Sequence, residues 1–451
     1  MPTISTIDHA VVLGGSMTGM LAAAALARHA RRVTVIDRDE LDDAPHHRKG
    51  TPQDHQAHIL LDRGRLAIEH LMPGLFDELL EHGSRRIDFG QELWWYHYGR
   101  WKIRCDTPYR LYVQTRPLLE HHVRRRLRAS SNVELRSQTE VLEPVIVDGH
   151  VRGVRLRSRQ PSAPLELPCD VILDATGRGS RSPQWLEPLG FGSPREERIP
   201  LGLAYASRLY RRPPSAPSEW SAYIVYATRP AQRRHGLLFA VEDDGWLLAL
   251  SGYGGDHPPD DPEGFEAWAG SLDRPDLRDF IREAEPLTKP RLHAFPFMRW
   301  RHYEELRLPM GYGVVGDAMC SFDPVFGQGM TAGAMEAEQL ERMLASGRGF
   351  DSTSFARACA RIAKNPWTLA LGEAARYATA ETSIPALPLL HRFLDRVFAC
   401  STSDPVVYRA FLDVLQLHAG PESLFRPHLL WRLARGKPAE VGAAAPMRHP
   451  G

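Results

Sequence analysis

Residues 9–37, HAVVLGGSMTGMLAAAALARHARRVTVID, leave a chain few ways to fold. A short apolar strand (9–13) runs into a glycine-bearing turn. A helix of strong helix formers follows, then a second β-branched strand over 32–37. This is a β-α-β unit of about thirty residues, whose strands must lie parallel and whose crossover must be right-handed. The turn nearly spells G-x-G-x-x-G. Gly14 and Gly19 fit its first and third positions, and Ser16 stands at the second. Glycine first allows the tight bend, and glycine third lets helix and strand pack closely. The helix N-terminus then offers free N–H groups to a phosphate. Asp37 ends the second strand, where an acid can bind a ribose hydroxyl.

The rest of the chain extends this start. Helical pattern runs over 63–82 and over 116–130, the latter with Pro117 near its start. Residues 132–158 alternate as strands around a turn at Asp148-Gly149. CDVILDATGRGSR ends another buried strand in a glycine turn. From 199 to 300 the runs GLAYASRLY, WSAYIVYAT, HGLLFAVE and GWLLALSGYG read as antiparallel strands. GYGVVGDAM, residues 311–319, returns to the parallel type, and a long helix is predicted over 329–346. The expected fold class is α/β: a Rossmann-like nucleotide domain with an inserted, mostly antiparallel sheet domain and C-terminal helices. Its expected parts are 1–198 and 301–346 for the nucleotide domain, 199–300 for the sheet, 347–436 for the helices and 437–451 for a disordered tail.

Composition removes several alternatives. A net charge of +1 leaves no electrostatic footprint for nucleic acid. The cysteines 105, 169, 320, 359 and 400 are scattered and odd in number, which fits a reducing, cytoplasmic setting without disulfides or a zinc site. MPTISTIDHA lacks the basic start of a secretory signal, and the apolar run 10–27 is too broken for a membrane span. His46, His47, His55 and His58 crowd one loop without supporting carboxylate spacing, so no metal is expected. The amphipathic helices predicted over 383–400 and 424–436 suit core packing, and no membrane contact is expected of them.

Two further stretches resemble nucleotide-site turns: DATGRGSRSPQWL (174–186) and GDAMCSFDPVFGQGMTAG (316–333). The plain alternative for the second is a helix cap with an acidic turn. Taken in order with the opening turn, the three resemble the FAD-dependent monooxygenases of the aromatic-hydroxylase fold. The similarity spans roughly residues 8–345. Arg116 in TRPLLE matches an arginine that reaches FAD in that family, and Arg48–Gly50 match its flavin-side R-x-G turn. Within the family, GGSMTG, HRKGTPQDHQAHIL, DATGRGSR and GQGM look most similar to the flavin-dependent epoxidases of polyether antibiotic biosynthesis.

The resemblance implies an FAD site built from Gly14, Ser16, Met17, Thr18, Gly19, Asp37, Arg38, Arg48, Lys49, Arg116, Asp317, Gly327, Gly329 and Met330. Asp317 would accept from a ribityl hydroxyl, and the helix start at Gly329-Met330 would face the flavin's N1/O2 edge. Gly50, Pro324 and Gln328 are the flavin-proximal candidates. Trp95, Tyr223, Phe295 and Phe297 are candidate substrate-pocket residues, against the alternative that such aromatics only pack. The implied reaction transfers one oxygen atom of O2, through a C4a-hydroperoxyflavin, to a hydrophobic polyketide or terpenoid. Alkene epoxidation is the first expectation and aromatic hydroxylation the second. No catalytic side chain is required for epoxidation. NAD(P)H is the expected electron source. Thr176 stands where many aromatic hydroxylases carry a second acid, which points to a separate flavin reductase. Halogenases share the three motifs, but W-x-W-x-I-P is absent and Lys49 lies in the flavin turn. A flavin-binding protein without turnover is the remaining alternative.

Overall fold

A computed structural model describes residues 7–158, 165–377 and 387–442. The opening unit forms as expected. Strands Ile7–Leu13 and Ala30–Ile36 pair in parallel on either side of the helix Met17–Ala27. They lie in a five-stranded parallel sheet in the order Tyr312–Val314, Val171–Asp174, Ile7–Leu13, Ala30–Ile36, Val133–Arg136. The helix is apolar all round because it is buried all round, with nine of its eleven residues inaccessible. The turn at its start is steric. Gly14 has φ +101°, and a Cβ there would stand 2.6 Å from the Ala175 carbonyl oxygen. A Cβ on Gly19 would stand 1.9 Å from the Gly14 oxygen.

The expected hairpin turns at Asp148-Gly149, both at positive φ, between strands Thr139–Val147 and His150–Ser158. Leu165–Pro168 adds a third strand to that small sheet. The helical pattern of 63–82 resolves into Asp62–Leu71 and Leu75–Glu81, broken at Pro73-Gly74. The helix at the third motif runs Gln328–Ala345.

The second large sheet is wider than the expected 199–300 segment. Its eight strands run Cys320–Ser321, Arg291–Arg301, Glu196–Arg211, Gly245–Gly252, Arg234–Val241, Ala222–Tyr226, Leu93–His97, Arg100–Trp101. The aromatic stretch 94–101 forms a hairpin turning at Tyr98-Gly99, and its first strand pairs in parallel with Ala222–Tyr226. The C-terminal region is helical: Ser352–Ala374, Leu387–Cys400, Pro405–Leu415 and Pro427–Arg435. The tail expected over 437–451 is described only to 442, and residues 443–451 lie outside the described residues. No helix among the described residues is long and apolar enough to cross a membrane.

Candidate functional site

The parallel sheet's C-terminal edge, the loop 48–59 and the start of helix Gln328–Ala345 enclose a cleft of about 980 Å³. Gly14, Ser16, Met17, Thr18, Asp37, Arg38, Arg48, Gly50, Arg116, Asp317, Pro324, Gly327, Gly329 and Met330 all line it. Two helix N-termini therefore meet in one cavity. Neither Ser16 nor Gly327 caps its helix with a side-chain hydrogen bond, and neither first turn carries an acid. Unpaired N–H groups and two positive dipole ends face the same space, which suits a ligand with anionic groups at both ends.

Polar side chains fix this geometry. Asp37 ties the opening turn to its own strand: one carboxylate oxygen accepts from Gly15 N–H at 2.6 Å, the other from Asp39 N–H at 2.8 Å. Each oxygen keeps a further lone pair. Arg48 lies 3.5 Å from Asp37 and donates to Glu120. Glu120 also accepts from Arg116 Nε at 3.1 Å, and Arg116 Nη2 donates to Ser16 Oγ at 3.0 Å. All three members of the Arg48–Glu120–Arg116 triad are buried. Breaking such a triad costs about 3–5 kcal/mol. Ser16 accepts from Arg116, so its own O–H stays free for a phosphate oxygen.

On the far side, Asp317 receives no hydrogen bond from the described residues and lies beside Gly329. Burial raises its pKa above the ordinary carboxylate value, against the pull of Arg178, Arg116 and Arg299. Behind it, burial lifts the Glu336 carboxyl to about 8, although it accepts from Gly316 N–H at 2.6 Å. His58, also in the cleft wall, falls to about 4 through burial and the nearby Arg116 charge, so it is a neutral imidazole at neutral pH. The middle motif closes on itself. Asp174 accepts from Thr176 N–H at 2.9 Å, Thr176 Oγ1 at 2.5 Å, Ser180 Oγ at 2.5 Å and Ser182 Oγ. Asp54 likewise organises the His-rich loop, accepting from Arg48 N–H, Thr51 Oγ1 and His47. His47, Asp54 and His55 bring ligand atoms within 4.8 Å of one another, but that carboxylate already holds the turn together.

A second cavity, about 200 Å³ and largely apolar, lies between the eight-stranded sheet and the C-terminal helices. Its wall includes Trp95, Ile224, Tyr226, Leu237, Phe326, Phe398 and Phe411. It shares Gln56, Ala57, Ile59, Tyr205, Pro324 and Gly327 with the cleft. Gln328, expected beside the flavin, turns its buried side chain to this chamber.

Four further expectations need correction. Lys49 is exposed and lines neither cavity, because the turn buries its neighbour Arg48 instead. Gly19 packs against Gly14 and does not reach the cleft. Tyr223 points to the other face of its strand, among Trp220, Trp246 and Phe280, while Ile224 and Tyr226 face the chamber. Phe295 lines the cleft, but Phe297 does not. Both stack on the Arg178 guanidinium, at 4.2 and 4.9 Å.

Sequence reasoning missed several residues. Glu120 stands four residues after Arg116, a spacing that places both on one helix face and was readable in RPLLE. Gln138–Val141 line the cleft near Asp37, and nothing in their alternating pattern announces it. Arg178, Tyr205 and His293 also line the cleft.

Solved structures share this fold. The flavin-dependent brominase Bmp2 aligns over 94% of this chain and 98% of that one, with a TM-score of 0.67 at 15% identity. The myxobacterial chondrochloren halogenase CndH gives 0.60 at 18% identity, over 93% and 97%. The probable FAD-dependent monooxygenase pqsL from Pseudomonas aeruginosa gives 0.58 at 17%, over 82% and 94%. The fold is thus the one shared by FAD-dependent monooxygenases and halogenases. No protein-family model matches the chain. Protein Rv3254 of Mycobacterium tuberculosis (strain ATCC 25618 / H37Rv) is 32% identical over 429 residues, covering 90% of this chain and 88% of that protein. The chain belongs to the same family as Protein Rv3254.

Proposed function

We propose that the protein is an FAD-dependent monooxygenase that passes one oxygen atom of O2 to a hydrophobic polyketide or terpenoid, with alkene epoxidation as its reaction. The observation that carries this reading is the wall shared by cleft and chamber at Pro324 and Gly327. A ring system held in the cleft against that wall faces apolar space.

The residues fit FAD. The uncapped helix start at Ser16–Thr18 would take the pyrophosphate, with Arg116 beside it. Asp37, Arg38 and Gln138–Val141 would surround the adenosine end. Asp317, which no described residue donates to, would take a ribityl hydroxyl, and the N–H groups at Gly329-Met330 would face the flavin ring. When bound and reduced, FAD supplies the activation of O2 and an electrophilic oxygen. The chain's part is to exclude water and to hold the double bond within reach. The aromatic chamber wall does the first, and its packing against the shared wall does the second. Asp174, the one acid of the middle motif, is fully engaged within its own loop. That favours NAD(P)H acting through a separate flavin reductase. The resemblance to polyether epoxidases favours epoxidation over aromatic hydroxylation, since it needs no protein base.

The test is flavin content and product. Asp317→Ala and Arg116→Ala are each expected to give largely FAD-free protein, and full flavin occupancy in both refutes the site. With a reductase, an alkene-bearing polyketide is expected to gain one oxygen from isotopically labelled O2. Peroxide release without substrate oxidation refutes turnover.

Halogenation is the second reading, favoured by Lys102. This buried lysine donates to the Phe398 carbonyl at 2.8 Å and to Ser401 Oγ at 2.7 Å. It lies 5.5–5.7 Å from the rings of Trp95, Phe398 and Phe411 in the chamber wall. Halide-dependent products lost in Lys102→Met would replace the epoxidase reading.

A further inference from the structure

The chamber's sheet wall carries a row of polar residues at one level across six strands. His97 pairs with Tyr226, His235 with Ser251, Ser251 with Tyr205, and Tyr205 with His293. The rings of Tyr226 and His235 close the remaining step at 4.3 Å. The row begins in the chamber and ends in the cleft, since Tyr205 lines both cavities and His293 the second. One step along each strand the wall is apolar: Trp95, Ile224, Leu237, Ala249.

Two members of this row, and two further residues of the chamber wall, carry polar atoms without a partner among the described residues. His235 Nε2, His97 Nδ1, the Trp95 indole N–H and both amide atoms of Gln328 are buried without a hydrogen bond among the described residues. Each of the four residues lines the chamber and is at most 7% exposed. A buried unmet donor or acceptor is costly enough that native structures hold few. Five such atoms around one cavity mark a place that something else completes.

The hydrogen bonds also say which proton is where. Ala227 N–H donates to His235 Nδ1 at 3.1 Å, so that nitrogen carries the lone pair. Burial and the neighbouring Arg229 charge keep the imidazole neutral. Its single proton therefore sits on Nε2, the unmet atom, which is a donor. The Trp95 nitrogen is a donor as well. The wall offers N–H groups and asks for an oxygen acceptor.

We propose that the chamber takes a neutral, mostly apolar molecule carrying a carbonyl-type oxygen, and that His235, as the Nε2–H tautomer, is the specificity-determining donor that orients it. A plain hydrocarbon leaves the row unpaired, and an anion finds no cation lining the wall among the described residues, since Arg229 and Arg376 already pair with the wall's Glu373. The inference rests on reading the chamber as the substrate side of the flavin site.

The probe pair is fluorenone and fluorene, one ring skeleton with and without a carbonyl. They are titrated into the full-length protein without reductant, with flavin content read from visible absorbance. Fluorenone is expected to bind on the order of tenfold tighter, with its carbonyl stretch moved to lower frequency. His235→Phe is expected to abolish both preference and shift while keeping fluorene binding and bound flavin. His235→Gln, which retains an N–H donor, is expected to restore part of the preference. Equal affinities, an unshifted carbonyl band, or a preference that survives His235→Phe each overturn the proposal. If His235→Phe does not fold, the wild-type band and His235→Gln still decide. Discrimination by protein that binds no flavin would sink the FAD reading and leave this one standing. Bound flavin without discrimination would do the reverse.

Discussion

Three glycines in two turns of the cleft separate steric need from backbone need. A Cβ on Gly14 would stand 2.6 Å from Ala175 O and 2.9 Å from Ala175 C, at φ +101°. Alanine there carries left-handed strain of about 1–2 kcal/mol and an overlap with backbone that costs about 1–3 kcal/mol more. Gly177 has φ +71° with nothing within 4 Å, so only the strain applies. Gly179 has open space and no positive φ, so alanine should be neutral or stabilise by about 0.4–1 kcal/mol through the unfolded chain. The expected order of stability loss is Gly14→Ala at about 2–5 kcal/mol, Gly177→Ala at about 1–2 kcal/mol, and Gly179→Ala at none. The assay is urea unfolding of flavin-free protein, followed by tryptophan fluorescence and far-ultraviolet circular dichroism. Flavin-free protein is required because Gly177 and Gly179 line the cleft. A Gly14→Ala midpoint at or above that of Gly177→Ala refutes the argument that the opening turn is set by contact with residue 175.

Glu336 gives a pH prediction. Below about pH 4.5 its carboxyl is protonated whether the chain is folded or not; between there and about 8 only the unfolded chain ionises. The wild type should therefore lose stability relative to Glu336→Gln as pH rises through that window, by on the order of 5 kcal/mol. Parallel stability curves for the two proteins would contradict the assignment. NADPH alone is expected to reduce the bound flavin slowly and a separate reductase to speed it. Stopped-flow bleaching by NADPH at turnover rates would rule this out.

What could be read from the sequence was local. The opening unit, the turn at Asp148-Gly149 and the GQGM helix start depend on neighbours within a few residues, and each forms where its pattern lies. What could not be read depends on pairing between distant strands. The joining of Leu93–His97 to Ala222–Tyr226 is one case, which brings Trp95 into the chamber. Tyr223 shows the limit more sharply. Its strand was foreseen, but successive side chains on a strand face opposite sides, and one residue of phase puts Tyr223 in a separate core while Ile224 lines the chamber. Asp37 shows another. An acid at the strand end was legible, but not that both its oxygens would already hold the turn.

The GQGM segment explains why glycine and a large polar residue alternate there. Gly327 adopts φ +65° and starts the helix without a capping side chain, leaving its first N–H groups toward the cleft. Gly327, Gly329 and Met330 border the cleft; a Cβ on Gly327 would stand 3.0 Å from Ile59, while one on Gly329 would meet only Asp317, at ordinary contact distance, and otherwise open cleft space. Successive helix positions are rotated by about 100°, so the residue between the glycines points elsewhere. That residue is Gln328, fully buried, and it meets the apolar chamber with both amide atoms unpaired among the described residues. One turn of helix thus presents backbone to one cavity and a side chain to the other. On the proposed reading, the segment would hold the cofactor by its N–H groups and meet the substrate with its amide. A change at position 328 therefore acts on the chamber and a change at Gly329 on the cleft, whereas Gly327 borders both.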